Sequence, residues 1–192
     1  MRSSSIVLAV SLLLLSSTSA CHADTLNADT LNADTLKVVL TGDILLDRGV
    51  RRVIERNGVG HLFSDGIDSV FQSAQVVVGN LECPATKIHA PVFKRFIFRS
   101  EPEWLDTLRQ HGITHLNLAN NHSIDQGREG LIDTKNNILA AGMVPIGAGE
   151  NMQEASEPVL LASEPRKVWL VPSLRLALEN YPTMVFENTG KR

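Results

Sequence analysis

Ile113-Thr114-His115-Leu116-Asn117-Leu118-Ala119-Asn120-Asn121-His122-Ser123-Ile124-Asp125 decides how this chain is read. Its first seven residues form an apolar run that suits a β-strand. The run stops at two amides, an imidazole and, three residues on, a carboxylate. A strand that delivers such groups at its end predicts a site at the carboxyl edge of a sheet, where open α/β sheets bind their ligands. No histidine and no cysteine follow His122 in the sequence.

Two earlier strand ends carry comparable chemistry. Lys37 to Thr41 reads as a short apolar strand closed by Gly42-Asp43, with Asp47 and Arg48 beyond it. Val76-Val77-Val78 reads as a buried strand that runs into Gly79-Asn80-Leu81-Glu82. Carboxylate oxygen, amide oxygen and imidazole nitrogen are donors that hard or borderline divalent ions accept. Each group also has a structural explanation. Gly-Asp after a strand is a common turn, its side chain bonding its own backbone. Glu82 before Cys83-Pro84 suits a surface loop, and Asp125 suits either the cap of the following helix or the orientation of His122.

Between these strands the pattern turns helical. Val50, Val53 and Ile54 mark one face of a helix that Asn57-Gly58 ends, and Ile67, Val70 and Phe71 mark a second. Phe93 to Arg99 alternates apolar and basic residues, which predicts a half-exposed strand. Ser100 with Glu103 predicts a capping box before Trp104, Leu105 and Leu108, and Gly112 stops that helix. A further helix is expected over Arg128 to Ala141. Short strands are expected at Val144 to Ile146, Val159 to Leu161 and Val168 to Val171, and a helix at Leu174 to Leu178. Strands alternating with helices imply an α/β fold with a parallel or mixed sheet. His111 suits a helix C-terminus, and His115 a sheet face.

The 192-residue chain is 43% hydrophobic, 20% charged and carries a net charge of −3, which fits one globular domain. It has no basic surplus, so nucleic acid is excluded as a partner. Arg2, the apolar run Ile6 to Leu15 and the small residues after it predict an export segment over residues 1–23. Cleavage after Ala20 or Ala23, lipidation at Cys21 and retention as a membrane anchor all remain open. The expected location is periplasmic or cell-surface. Residues 23–37 hold Ala-Asp-Thr-Leu-Asn twice and then Ala-Asp-Thr-Leu-Lys, with a period that suits neither helix nor strand, which predicts a solvated linker over residues 24–36. Cys83 has no partner once Cys21 is removed or lipidated, and reads as a small buried apolar residue.

In order, Gly42-Asp43 with Arg48, Asn80-Leu81-Glu82, Phe98-Arg99 with Pro102, Leu105, Leu108 and Gly112, and Asn117 to His122 with Asp125 and Gly127 resemble the CapA-type capsule-synthesis proteins. These are also called poly-γ-glutamate biosynthesis proteins. Gly147-Ala148-Gly149 with Asn151 and Glu154-Ala155 continues the likeness, which covers roughly residues 37 to 171. The resemblance implies a metallophosphoesterase-like, four-layer α/β/β/α sandwich with a two-metal centre over residues 37–192. It implies Asp43, Glu82, Asn121 and Asn80 as metal ligands, His122 as the group that meets substrate or donates a proton, and Asp125 as its orienting partner. The ions would be Mn, Fe, Zn or Mg. The histidines that close such a centre in the second half of the domain have no counterpart here, so the domain is expected to be incomplete at its C-terminus. The implied activity is metal-assisted hydrolysis or transfer at a phosphoryl or acyl centre. The implied partners are an exported anionic polymer or phosphoester substrate, and membrane polymer synthase subunits. A non-enzymatic accessory subunit, or an inactive fragment, are the alternatives.

Overall fold

The computed structural model describes residues 35–164 and 166–174. The expected export segment, the repeat linker and the helix at Leu174 to Leu178 lie wholly or almost wholly outside them.

Four strands form one parallel sheet in the order β1-β2-β3-β4: β1 Val38–Ile44, β2 Val76–Leu81, β3 His115–Asn117 and β4 Val144–Ile146. Each crossover is helical, as parallel neighbours require. Helices α1 (Arg48–Asn57) and α2 (Asp65–Gln72) join β1 to β2, with a 3-10 turn at Val59–Leu62 between them. Helix α3 (Trp104–Gln110) precedes β3, and α4 (Gly127–Ala140) joins β3 to β4. A short α5 (Met152–Ala155) leads to an antiparallel pair, β5 (Val159–Ala162) and β6 (Val168–Leu170).

The run Val76-Val77-Val78 is buried throughout, and its alternation sorts the core into two. Val77 faces the helices, in a cluster with Leu81, Leu105, Leu108, Ile113, Leu116 and Ile138. Val76 and Val78 face the other way with Ile146, where Val159, Leu161 and Leu170 of β5 and β6 pack on them. The parallel sheet thus has helices on one face and a strand pair on the other. A fully buried Leu or Val side chain contributes about 1.5–3 kcal/mol, so both faces hold the sheet.

Register places the polar strand ends. Between Leu40 and Asp43 the β1–β2 ladder shifts, so that Asp43 pairs with Asn80 and Ile44 with Leu81. Asn80 in turn pairs with Asn117 of β3. Gly79 lies beside the irregularity: a Cβ there would sit 2.3 Å from Ile44 Cδ1. Gly42-Asp43 is therefore the end of the strand and not a turn after it.

Other expectations change at the ends of elements. Phe93 to Arg99 is not a strand; only Ser100 makes a β-bridge, to Ala85. The segment's backbone is used locally instead, with the Phe98 N–H going to a side chain. Ser100 does not cap α3. Its hydroxyl donates to Pro84 O, and the helix begins four residues later, at Trp104, behind Glu103 without a side-chain cap. In α2, Ile67 and Val70 stay exposed and only Phe71 turns partly inward. Gly112 ends α3 as expected, with φ +99°. His111 caps that helix, stacks on Phe63 and meets Asp68 at 2.7 Å. His115 is buried in β3, and burial lowers its pKa.

Candidate functional site

The three polar strand ends meet at the carboxyl edge of the parallel sheet. Asn80, at the end of β2, is the junction. Its Nδ2 donates to Asp43 Oδ1 and to Glu82 Oε2, each at 2.7 Å. Its Oδ1 accepts from Asn117 Nδ2 at 2.9 Å and from Asn120 Nδ2 at 3.0 Å. Asn120 Nδ2 also reaches Leu81 O, while its Oδ1 accepts the backbone N–H groups of His122 and Ser123. That last pair of bonds builds the tight turn after β3 and presents His122 to the edge. Asn120 thus shapes the loop that carries the imidazole.

His122 is fixed by two neighbours. Its Nδ1 lies 2.7 Å from Asp125 Oδ2, and its ring packs against Phe98 at 4.2 Å between centroids. Its Nε2 is turned toward Glu82, 4.0 Å from Oε1. Asp125 is fully buried and accepts two further bonds, from Phe98 N–H at 2.8 Å and from Lys94 Nζ at 2.6 Å. Asp125 therefore orients the imidazole and does not cap α4, whose first turn lacks a side-chain cap. A carboxylate bonded to one ring nitrogen leaves the other free for chemistry.

Burial raises the pKa of Glu82, and the nearby charge of Asp43 adds to the rise. Two carboxylates converging on one amide nitrogen repel each other, so this pair favours either a proton or a cation. Asn121 is exposed, and its backbone carbonyl accepts from Lys94 Nζ.

In kind, the oxygens of Asp43, Glu82 and Asn121 and the Nε2 of His122 suit a hard or borderline divalent ion. In arrangement they are not a closed centre. Asn80 turns N–H groups and not its oxygen toward the two acids. Among the described residues no three His, Cys, Asp or Glu side chains gather so as to hold an ion.

Lys94 and the packing of Phe98 are additions that the sequence did not reveal. Both belong to the segment that alternates apolar and basic residues; that alternation was the available signal. Cys83 is buried and free, and burial pushes its thiol up to about 11. A cleft of about 340 Å³ opens beyond Phe98, lined by Asp47, Arg51, His89 and Arg99 among others. Its arginines are already committed: Arg51 to Asp47 and Glu101, and Arg99 to Glu101. No helix among the described residues is long and apolar enough to cross a membrane.

Comparison with known proteins bears on this edge. The sequence profile of the family described as "Bacterial capsule synthesis protein PGA_cap" matches residues 37–181. The "PGA biosynthesis protein CapA" of Bacillus subtilis (strain 168) is 30% identical over 120 residues, which is 62% of this chain and 31% of that protein. The "Capsule biosynthesis protein CapA" of Bacillus anthracis is 29% identical over 126 residues, 64% of this chain and 30% of that protein. The matched part thus spans about a third of the length of these relatives. The profile covers every residue of the site, from Asp43 through Glu82 to Asp125, and the chain belongs to the family of bacterial capsule synthesis proteins that this profile defines.

Proposed function

We propose that this chain acts in the formation of an exported, anionic capsule polymer of the poly-γ-glutamate type, at the cell envelope. The chemistry we assign to the edge is hydrolysis or transfer at a phosphoryl or acyl centre of that polymer or of a phosphoester. The observation that carries this reading is the pairing of His122 with buried Asp125, at a sheet edge that also holds Asp43 and Glu82.

The roles follow from the bonds. Asp125 holds the proton on Nδ1 when the ring is neutral, so Nε2 faces the edge as the atom that accepts or donates a proton. Phe98 limits the ring's rotation and excludes water from one of its sides. Lys94 offsets the charge of Asp125 and ties it to the backbone at Asn121. Asp43, Glu82 and Asn121 would hold a divalent cation, which would stabilise negative charge on the reacting oxygen. The strand pair β5–β6, packed on the open face of the parallel sheet, supports our further reading that this sheet is part of a metallophosphoesterase-like four-layer sandwich.

One observation favours a second reading, an accessory subunit of a membrane polymer synthase. It is the lack of a closed set of ion ligands among the described residues. The two part on one experiment. The purified chain is incubated with Mn2+ and either poly-γ-glutamate or bis-p-nitrophenyl phosphate, and product is followed. The enzyme reading expects turnover that falls at least about a hundredfold in His122→Ala and Asp43→Asn. Turnover that is absent, or equal in those variants, refutes it. Retention of the chain on synthase-containing membranes would then support the subunit.

A further inference from the structure

Arg48 and Arg95 bring two guanidinium groups to one phenyl ring, that of Phe96, and Arg48 links it to the ring that packs on His122. The carbon at the centre of the Arg48 guanidinium lies 5.1 Å from the centre of Phe96, and that of Arg95 lies 5.1 Å from the same ring. Arg48 also sits 5.0 Å from the centre of Phe98, the ring that packs on His122 at 4.2 Å. Nearly every neighbouring cation is committed. Arg51 and Arg99 bond Glu101, Lys87 bonds Glu101 and Glu103, and Lys94 bonds Asp125. Arg48 and Arg95 are paired with no carboxylate among the described residues, and both are exposed.

A ring face attracts one cation, but a second of like charge near it is repelled by the first. An anion between the two would remove that repulsion. The backbone holds Arg48 in place: it is the one described residue other than glycine with positive φ, at +56°, and its N–H bonds Asp47 Oδ1 at 2.7 Å. Strain of this kind persists where the surroundings enforce it. Planar guanidinium groups suit oxyanions, which they bond in a bidentate manner.

We infer that Arg48 and Arg95, braced on Phe96 and Phe98, form an anion-binding subsite that seats a carboxylate or phosphate group of the substrate next to His122. This rests on the reading of the edge given above, and adds to it the residues that recognise charge. In a linear polyanion the reacting group and the seated group would belong to neighbouring units.

The test is equilibrium binding to the full chain, using a fluorescein-labelled poly-γ-glutamate oligomer, with inorganic phosphate and glutarate as competitors. Arg48→Gln and Arg95→Gln should each weaken oligomer binding about tenfold. Phe96→Leu should weaken it less. The charge-matched control Arg52→Gln/Arg56→Gln, on exposed positions of α1, should stay within about twofold of wild type. Circular dichroism confirms that each variant folds. Competition by phosphate or by glutarate that disappears in Arg48→Gln identifies which anion the subsite prefers, and either supports it. Equal binding by wild type and the Arg48→Gln/Arg95→Gln double variant overturns the subsite and leaves the reading of the edge standing. An equal loss in the control pair also overturns it, since charge alone would then explain binding. Wild-type chain that binds neither the oligomer nor phosphate overturns both.

Discussion

His122 Nδ1 lies 2.7 Å from Asp125 Oδ2, and that carboxylate is fully buried while also receiving Lys94. One acid therefore serves an imidazole, an ammonium and a backbone N–H at once. Asp125→Asn would leave Lys94 without its charge partner in a mostly buried position. The expected cost is about 3 kcal/mol in urea unfolding. Adding Lys94→Met should recover part of it, because the stranded charge is then gone. Nitrogen NMR should find His122 with its proton on Nδ1 in the wild type and a mixture of tautomers in Asp125→Asn. A single unchanged tautomer would contradict the assigned role.

Glu82 supplies a stability test with the opposite sign. Burial, then the charge of Asp43, raises its pKa in the folded chain. The unfolded chain therefore loses this proton first, and folding is penalised as pH rises from the ordinary glutamate value through the folded one. Glu82→Gln should raise Tm at pH 7 by a few degrees, roughly 1 kcal/mol. The gain should vanish below the ordinary glutamate range, where both states are protonated. A Tm lowered at pH 7 would refute the repulsion.

Glu101 behaves in the reverse manner. Burial alone would raise its pKa, but bonds from Lys87, Arg51 and Arg99 outweigh it and hold the carboxyl at about 2. Its contribution is present above the ordinary value of 4.5 and is lost as pH falls from there toward 2. Thermal melts across that range should show the gap between wild type and Glu101→Gln closing as acid is added. At neutral pH the gap should be about 1 kcal/mol.

Gly147 should not tolerate a side chain. Its φ is +79°, and an added Cβ would lie 2.6 Å from Ala119 Cβ and 3.0 Å from Ala119 N. The second of these is backbone, on the segment that leads to Asn120. Gly147→Ala should cost about 2 kcal/mol or more in thermal or urea unfolding. Ala119→Gly should relieve only the contact with the methyl carbon, so a full rescue would count against the backbone clash.

Much of the edge was legible because strands advertise themselves by apolar runs, and runs ending in Asp43, Glu82 and His122 point to one side of a parallel sheet. Asp125 could be read two ways, and the choice required Phe98 and Lys94, which lie far from it in sequence. Asn80 was legible as a polar strand end, but its use was not. Whether an amide turns its oxygen or its nitrogen to a neighbour depends on partners such as Asn117 and Asn120, from another strand and loop. The alternation from Phe93 to Arg99 has a strand's period, yet the nearby Asp125 takes the Phe98 N–H that a sheet partner would have needed. Ser100 has a cap's chemistry, but its hydroxyl is spent on Pro84.

The shift of register between Leu40 and Asp43 reaches further than its size suggests. Val38, Val39 and Leu40 pair in step with Val76, Val77 and Val78; continued in step, that count would set Gly42 against Asn80. One additional residue in β1 sets Asp43 there instead. Were the ladder to run in step through Thr41 and Gly42 at this length, Asp43 would stand against Leu81 and turn its carboxylate to the opposite face of the sheet. The irregularity of the ladder is thus as much a chemical specification here as the identity of any side chain. Among relatives, a one-residue gap at this point of an alignment would keep the aspartate against the asparagine by a straight ladder in place of a bulged one.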